Sequence, residues 1–480
     1  MHNNINQIHG AMDVAMFDWT PENRTTVGKI LILTAVMFFL YRNNLNSLNN
    51  LILSALVIWG ISSLMMRTKM FTKKENQRFR RTKVLSATIA ILVALMMSVV
   101  AIGLTVIDEF GAPSQVYDSP NYYDESFQNL EQVSVEGDGF FSTLGDFLVF
   151  DPSREPNAII PTEKFEPDNL QRGEVSITWF GHSTILIQSA EYNILIDPLF
   201  GDDSMGPLFL GPAPFDYENS YEVEDLPQID IILISHDHYD HLDMRTVIEF
   251  DKSQFLVPLG VKPHLELWDL PSENIEEFDW YEGTNISDDL EIILTPSQHF
   301  SGRGLDRDNT LWGSWVIKLG DHSIFFGGDG GYFSEFKEIG ERHGPFDIAI
   351  LEAGQYNAAW SDIHMFPHQA VQASIDLKAD AVMPIHNSKY ILALHPWDEP
   401  LIEVTAEGAK KNQPVATPVI GQSFMLGLEY PNHPWWEDVK PGKEPFMKSN
   451  IFAGMLIPIE IVAGVLLIRD ARENSDTEEE

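Results

Sequence analysis

The chain has 480 residues, 44% of them hydrophobic, enough for a large buried core and more than one domain. Its 31 Lys and Arg stand against 71 Asp and Glu, a net charge of −40, which excludes a general nucleic-acid binder because phosphate backbones demand cations. Cysteine is absent, so disulfides, thiolate zinc fingers and thiol nucleophiles are excluded, and any metal must rest on carboxylates and the 15 histidines.

Residues 1–107 carry 11 basic and 4 acidic side chains, whereas residues 108–480 carry 20 and 67, a contrast that predicts two physical environments. The first is expected to be an all-α transmembrane region, with spans at 27–42, 46–66 and 84–107. Val84–Ile107 has no charged residue over its 24 positions, a length that crosses a hydrocarbon core of about 30 Å. Ile30–Tyr41 is shorter and spans only if Lys29 and Arg42 snorkel from its ends. Between the second and third spans, Arg67–Lys83 holds eight Lys/Arg and one Glu. Short basic loops stay in the cytoplasm. The expectation is therefore a multi-pass protein of the cell or inner membrane, with everything after Ile107 on the extracytoplasmic side.

Residues 108–170 read as a polar linker, punctuated by Gly111-Ala112-Pro113, Asp151-Pro152 and Glu166-Pro167, whose short apolar pieces pack on the neighbouring domain. That domain, 171–430, opens with apolar runs expected as strands: Val175–Phe180, Thr184–Ile187, Tyr192–Ile196 and Ile231–Ile234. Glu291–Leu294, Trp315–Leu319, Ser323–Phe326 and Ile348–Leu351 follow, with helices at Met244–Phe250 and His368–Leu377. Strands interspersed with helices predict a sheet-on-sheet core flanked by helices. The segment 431–480 ends the chain, with a fourth span expected at 451–468. Glu460 near its middle costs about 2.5–3.5 kcal/mol on insertion, and Arg469 and Arg472 fit a return to the cytoplasm. The alternative is an apolar helix lying on the membrane or on the domain.

The most specific signal follows the apolar run Ile231–Ile234, where the chain reads Ser235-His236-Asp237-His238-Tyr239-Asp240-His241. In an extended segment His236 and His238 point the same way, and a turn beyond them would bring Asp240 and His241 to a second metal. Imidazoles and carboxylates without thiolate suit Zn2+, with Mn2+ or Fe as alternatives.

This His-x-His-x-Asp-His string resembles the metallo-β-lactamase superfamily. Its surroundings resemble, within it, N-acylphosphatidylethanolamine phospholipase D and its bacterial relatives. The stretches that carry the likeness include Thr178–Thr184, Asp197–Phe200, Thr295–Gly304, Thr310–Trp315, Phe326–Asp329, Phe336–Arg342 and Gly344–Asp347. The resemblance implies an α/β fold, the αββα sandwich, with two zinc ions per chain. One metal would take His236, His238 and His299, and the other Asp240, His241 and His386. Asp329 would bridge both. Asp197 and His182 would orient ligand imidazoles, and His364 would bind phosphate or protonate the leaving oxygen. Trp360, Met365 and Phe366 would offer apolar surface to acyl chains.

The function so implied is a membrane-anchored binuclear zinc hydrolase, a phosphodiesterase of the phospholipase D type. Two metals about 3.5–4 Å apart can hold a hydroxide and clamp the attacking and leaving oxygens; Asp240 and Asp329 support that chemistry as metal-binding carboxylates. Its partners would be phospholipid and membrane, without nucleic acid, and a homo-oligomer is left open. The alternatives are a lactonase of the related branch or a non-catalytic membrane protein with a relic metal site.

Overall fold

The computed structural model describes residues 107–113, 115–133, 151–207, 211–303 and 307–439. The expected spans at 27–42, 46–66, 84–107 and 451–468 lie outside the described residues, Ile107 apart. Among the described residues no helix is long and apolar enough to cross a membrane.

A short hairpin, β1 (Tyr122–Tyr123) and β2 (Ser126–Phe127), precedes two larger sheets. The first sheet contains β3 (Val175–Trp179), β4 (Ile185–Ser189), β5 (Asn193–Ile196), β6 (Ile231–Leu233), β7 (Gln254–Pro258) and β8 (Ile275–Phe278). The second contains β9 (Gly283–Ser287), β10 (Leu290–Thr295), β11 (Ser314–Leu319), β12 (His322–Phe326), β13 (Phe346–Glu352) and β14 (Ala379–Ile385). Their orders are 15-3-4-5-6-7-8 and 14-13-12-11-10-9, where β15 is Ser423–Met425. Each sheet begins as an antiparallel meander and ends in parallel strands, β5 to β8 in one and β12 to β14 in the other.

Placement explains composition. β6 lies inside its sheet and is apolar and buried throughout, as expected for a parallel strand covered on both faces. β14 tolerates Pro384 because it is an edge strand, where a missing N–H breaks no ladder. β7, β8, β9, β14 and β15 go beyond the strands expected from sequence. β8 (Ile-Glu-Glu-Phe) and β9 (Gly-Thr-Asn-Ile-Ser) are sheet edges with a polar content that masks their period.

One core joins the two sheets: Ile187, Ile232 and Leu256 share a cluster with Ile292, Ile317 and Ile350. The indole of Trp315 in β11 donates to the carbonyl of Ile234 just beyond β6 at 3.0 Å. Helix α1 (Met244–Val247) continues as a 3-10 turn through Phe250, and α2 (Lys262–Leu267) packs on β8. Helices α3 (Glu335–Arg342), α4 (Pro367–Asp376) and α5 (Glu399–Lys411) cover the second sheet, with Phe336, Val371 and Val404 in a separate core beside Phe325 and Val382. The main core also takes in Phe127, Ile160 and Phe165 from the segment before β3, and Trp435 and Trp436 from beyond β15. The result is an α/β fold of two facing mixed sheets with helices outside.

Candidate metal centre

Parallel strands place their C-terminal ends together, and the site lies there. After β6 the string leaves the sheet and turns: the carbonyl of His238 accepts from His241 N at 3.1 Å and Leu242 N at 2.8 Å. The turn returns the His241 ring to 4.2 Å from that of His236. Asp243 then caps α1, accepting from Thr246 N at 3.0 Å. His299 follows β10, Asp329 follows β12, Glu352 closes β13 and His386 follows β14.

Two clusters form. In the first, His238 Nδ1 lies 2.9 Å from His236 Nε2 and 3.3 Å from His299 Nε2. Nitrogens around a tetrahedral zinc at about 2.0–2.1 Å are separated by roughly 3.3 Å, so the spacing fits. In the second, Asp240, His241 and His386 converge together with His182. Asp329 stands between: its Oδ2 is 3.9 and 3.8 Å from Nε2 of His236 and His299, and 3.3 and 3.2 Å from Nε2 of His241 and His386. All seven residues expected as ligands are thus brought together.

The electrostatics ask for cations. Burial holds His236, His299 and His386 well below the ordinary histidine range, leaving neutral rings with a lone pair to offer. Burial pushes Asp240 and Asp329 up, but the surrounding histidines, His241 first, hold both well below the usual carboxylate range. Burial would lower His241, yet Asp329, Asp240 and Asp197 raise it well above. Among the described residues, Asp329 Oδ1 is buried with no hydrogen-bond partner. Such an atom is costly unless a cation faces it, and the donor set fits divalent metal.

The outer nitrogens of the rings are held from behind. Asp197 Oδ2 accepts from His241 Nδ1 at 2.8 Å and from Ser235 Oγ at 2.6 Å, and Ser235 Oγ lies 2.9 Å from His236 Nδ1. Ser183 Oγ is 3.1 Å from His386 Nδ1, and the Ile363 carbonyl is 3.1 Å from His299 Nδ1. Each contact aims the opposite nitrogen inward. Asp197 therefore orients an imidazole as expected. His182 does not: its Nε2 meets the Asp240 carboxylate at 2.9 Å.

His364 sits 5.1 Å from the His299 ring and 5.5 Å from His386, stacked on the latter. Its Nδ1 faces Glu352 Oε2 at 3.1 Å, and Glu352 Oε1 accepts from Met365 N at 2.8 Å. Burial would lower His364, but the Glu352 carboxylate raises it. Glu352, fully buried, was not singled out from sequence, although an acid closing an otherwise apolar strand is a readable signal. Met365 is also not where it was expected. It is buried in the core under α4 rather than offered to a ligand.

The β-lactamase superfamily domain matches residues 192–387. An uncharacterized protein of Mycobacterium tuberculosis is 38% identical over 335 residues, covering 66% of this chain and 87% of that protein. The chain belongs to the metallo-β-lactamase superfamily and has the fold and donor set of a metal-dependent hydrolase. It is also similar to the N-acyl-phosphatidylethanolamine-hydrolyzing phospholipase D 1 of Caenorhabditis elegans, at 32% identity over 44% of this chain and 64% of that one. The mitochondrial enzyme of the same description in Saccharomyces cerevisiae is 31% identical, over 52% and 55%. Among solved structures, the metallo hydrolase Igni18 of Ignicoccus hospitalis is 21% identical over 53% of this chain and 100% of that one, with a TM-score of 0.41.

Proposed function

We propose that the chain is a two-zinc phosphodiesterase of the phospholipase D type, acting on N-acylphosphatidylethanolamine or a similar phospholipid. The observation that carries the reading is Asp329 Oδ2 between the His236–His238–His299 cluster and the cluster that holds Asp240, His241 and His386, joined to the likeness with two enzymes described as hydrolysing that lipid. His236, His238 and His299 would hold one ion and Asp240, His241 and His386 the other, with Asp329 shared. Such a pair supplies a nucleophilic oxygen at neutral pH and neutralises phosphoryl charge.

The chain's own residues do the rest. Asp197 and Ser235 fix His241 and His236, so the ligand rings need not reorient as charge develops. His364, whose Nδ1 faces the Glu352 carboxylate and whose pKa that carboxylate raises, would donate a proton to the departing alcohol oxygen. Water adds to phosphorus, the distal P–O bond breaks, and phosphatidic acid and the head-group alcohol leave. The apolar segments at 27–42, 46–66 and 84–107, with the basic loop 67–83, support a membrane-held enzyme whose site is extracytoplasmic.

The test is mass spectrometry of products from zinc-loaded protein and vesicles of N-acylphosphatidylethanolamine, with Asp329→Ala as the inactive control. Phosphatidic acid from the wild type alone is expected. Lactone opening without phosphatidic acid would transfer the assignment to the lactonase branch. For sidedness, an alkaline-phosphatase fusion should be silent at residue 75 and active at residue 170, and the reverse pattern overturns the orientation.

A further inference from the structure

His299 stands on an irregular stretch after β10, where no neighbouring strand supplies its backbone partners. Its N–H and C=O are instead taken by one side chain from 170 positions earlier. Asn129 Nδ2 donates to the His299 carbonyl at 2.7 Å, and Asn129 Oδ1 accepts from His299 N at 3.1 Å. A single planar amide thus closes on both backbone groups of one residue, as a paired strand would. With the Ile363 carbonyl on Nδ1, His299 is fixed at three points and its Nε2 has one direction left.

The residues on either side of Asn129 are anchored. The rings of Tyr117, Tyr122 and Phe127 pack at 4.9–5.6 Å, and Phe127 N donates to the Asp308 carbonyl at 2.8 Å. On its other side Glu131 accepts from Ser334 N at 3.0 Å. The same segment begins with a second anchor: the buried Arg303 guanidinium bridges the Glu109 carbonyl to those of Asp237 and Leu242, within and beside the histidine string. Glu109, Phe127, Asn129 and Glu131 all precede residue 192, where the family match begins, while the groups they hold lie beyond it.

We infer that Asn129 is a positioning residue for His299, so that a segment outside the matched domain completes the first metal cluster. The inference rests on the metal-centre reading. Pre-organised outer partners raise a ligand's affinity for metal, and their loss typically costs about 10–100-fold. Because Asn129 touches only His299 among the ligands, one of two ions should feel its loss.

The experiment is chelator competition on the full chain in detergent, with cobalt(II) as the probe and its visible absorption reporting ligand geometry. Wild type should bind two ions; failure to do so defeats the metal-centre reading itself. Asn129→Ala should lose one ion about 10–100-fold more readily, with a changed cobalt spectrum and the second ion unaffected. Asn129→Asp, which keeps the acceptor for His299 N–H at the same size but sets a second oxygen against the His299 carbonyl, should show the same selectivity and covers the case of Asn129→Ala failing to fold. Ser126→Ala, confined to the hairpin, should match wild type. Equal weakening of both ions, or wild-type affinity and spectrum in a folded Asn129 variant, overturns the inference.

Discussion

Replacing Asp197 by Asn tests whether the second cluster depends on imidazole orientation. The carboxylate accepts from Ser235 N at 2.8 Å, Ser235 Oγ at 2.6 Å and His241 Nδ1 at 2.8 Å. An asparagine can keep its oxygen on Ser235 N–H, but its NH2 then faces the hydroxyl and the ring. The hydroxyl can rotate to accept. His241 can accept only by moving its proton from Nδ1 to Nε2, the nitrogen that faces Asp329. A metal must then displace that proton. Affinity at the Asp240–His241–His386 cluster should fall about 10–100-fold, equivalent to about 1.4–2.7 kcal/mol, while the His236–His238–His299 cluster keeps its ion. Titrating metal-free protein with zinc against a chelator of known affinity resolves the two steps. Unchanged affinity at both clusters, or an equal fall at both, would refute the orientation argument.

His364→Gln should retain both ions yet lose about 10²–10⁴-fold in kcat on a lipid with an alcohol leaving group, and far less on a nitrophenyl phosphodiester. An equal loss on both substrates removes His364 from proton donation. Burial pushes Asp237 up, but His264 and the N–H of Gly302 bring it down to about 2; against an unfolded value of about 3.9, it contributes about 2–3 kcal/mol above pH 4 that is lost as pH falls toward 2. Urea unfolding of metal-free protein at pH 5 and 3 should show a smaller acid loss in Asp237→Asn than in wild type. Burial lowers Lys389 to about 8, beside Tyr217, Tyr221 and Asp202, which line the same small pocket; the folded state sheds the proton first, so stability should rise by roughly 3 kcal/mol between pH 8 and 10.4. Thermal unfolding of Lys389→Met should lack that rise.

What could be read from sequence follows from how local each signal is. The histidine string is six consecutive residues behind an apolar strand, so its chemistry was visible without any fold. His299, Asp329 and His386 are single residues scattered over 88 positions, and only the motif around each marked them. Asn129 carried no mark, because its importance lies in meeting a backbone 170 residues away. Edge strands β8 and β9 were hidden for a different reason. β9 buries no residue and β8 buries only its two ends, so neither carries the alternation that betrays a half-buried strand.

The division of the centre between the two sheets bears on the order in which the protein matures. His236, His238, Asp240 and His241 belong to the first sheet's loops, and His299, Asp329 and His386 to the second's. Neither half can present a full donor set by itself, so tight metal capture waits until the halves have docked. A metal then acts as a latch on the last step, and at a thousandfold excess over its dissociation constant it favours the docked state by about 4.1 kcal/mol. A chain without cysteine has no thiolates with which to trap the ion earlier. Starved of metal, such a protein is expected to accumulate with assembled sheets and a loose seam, and its resistance to proteolysis at loops 235–243 and 296–303 would report how full the centre is.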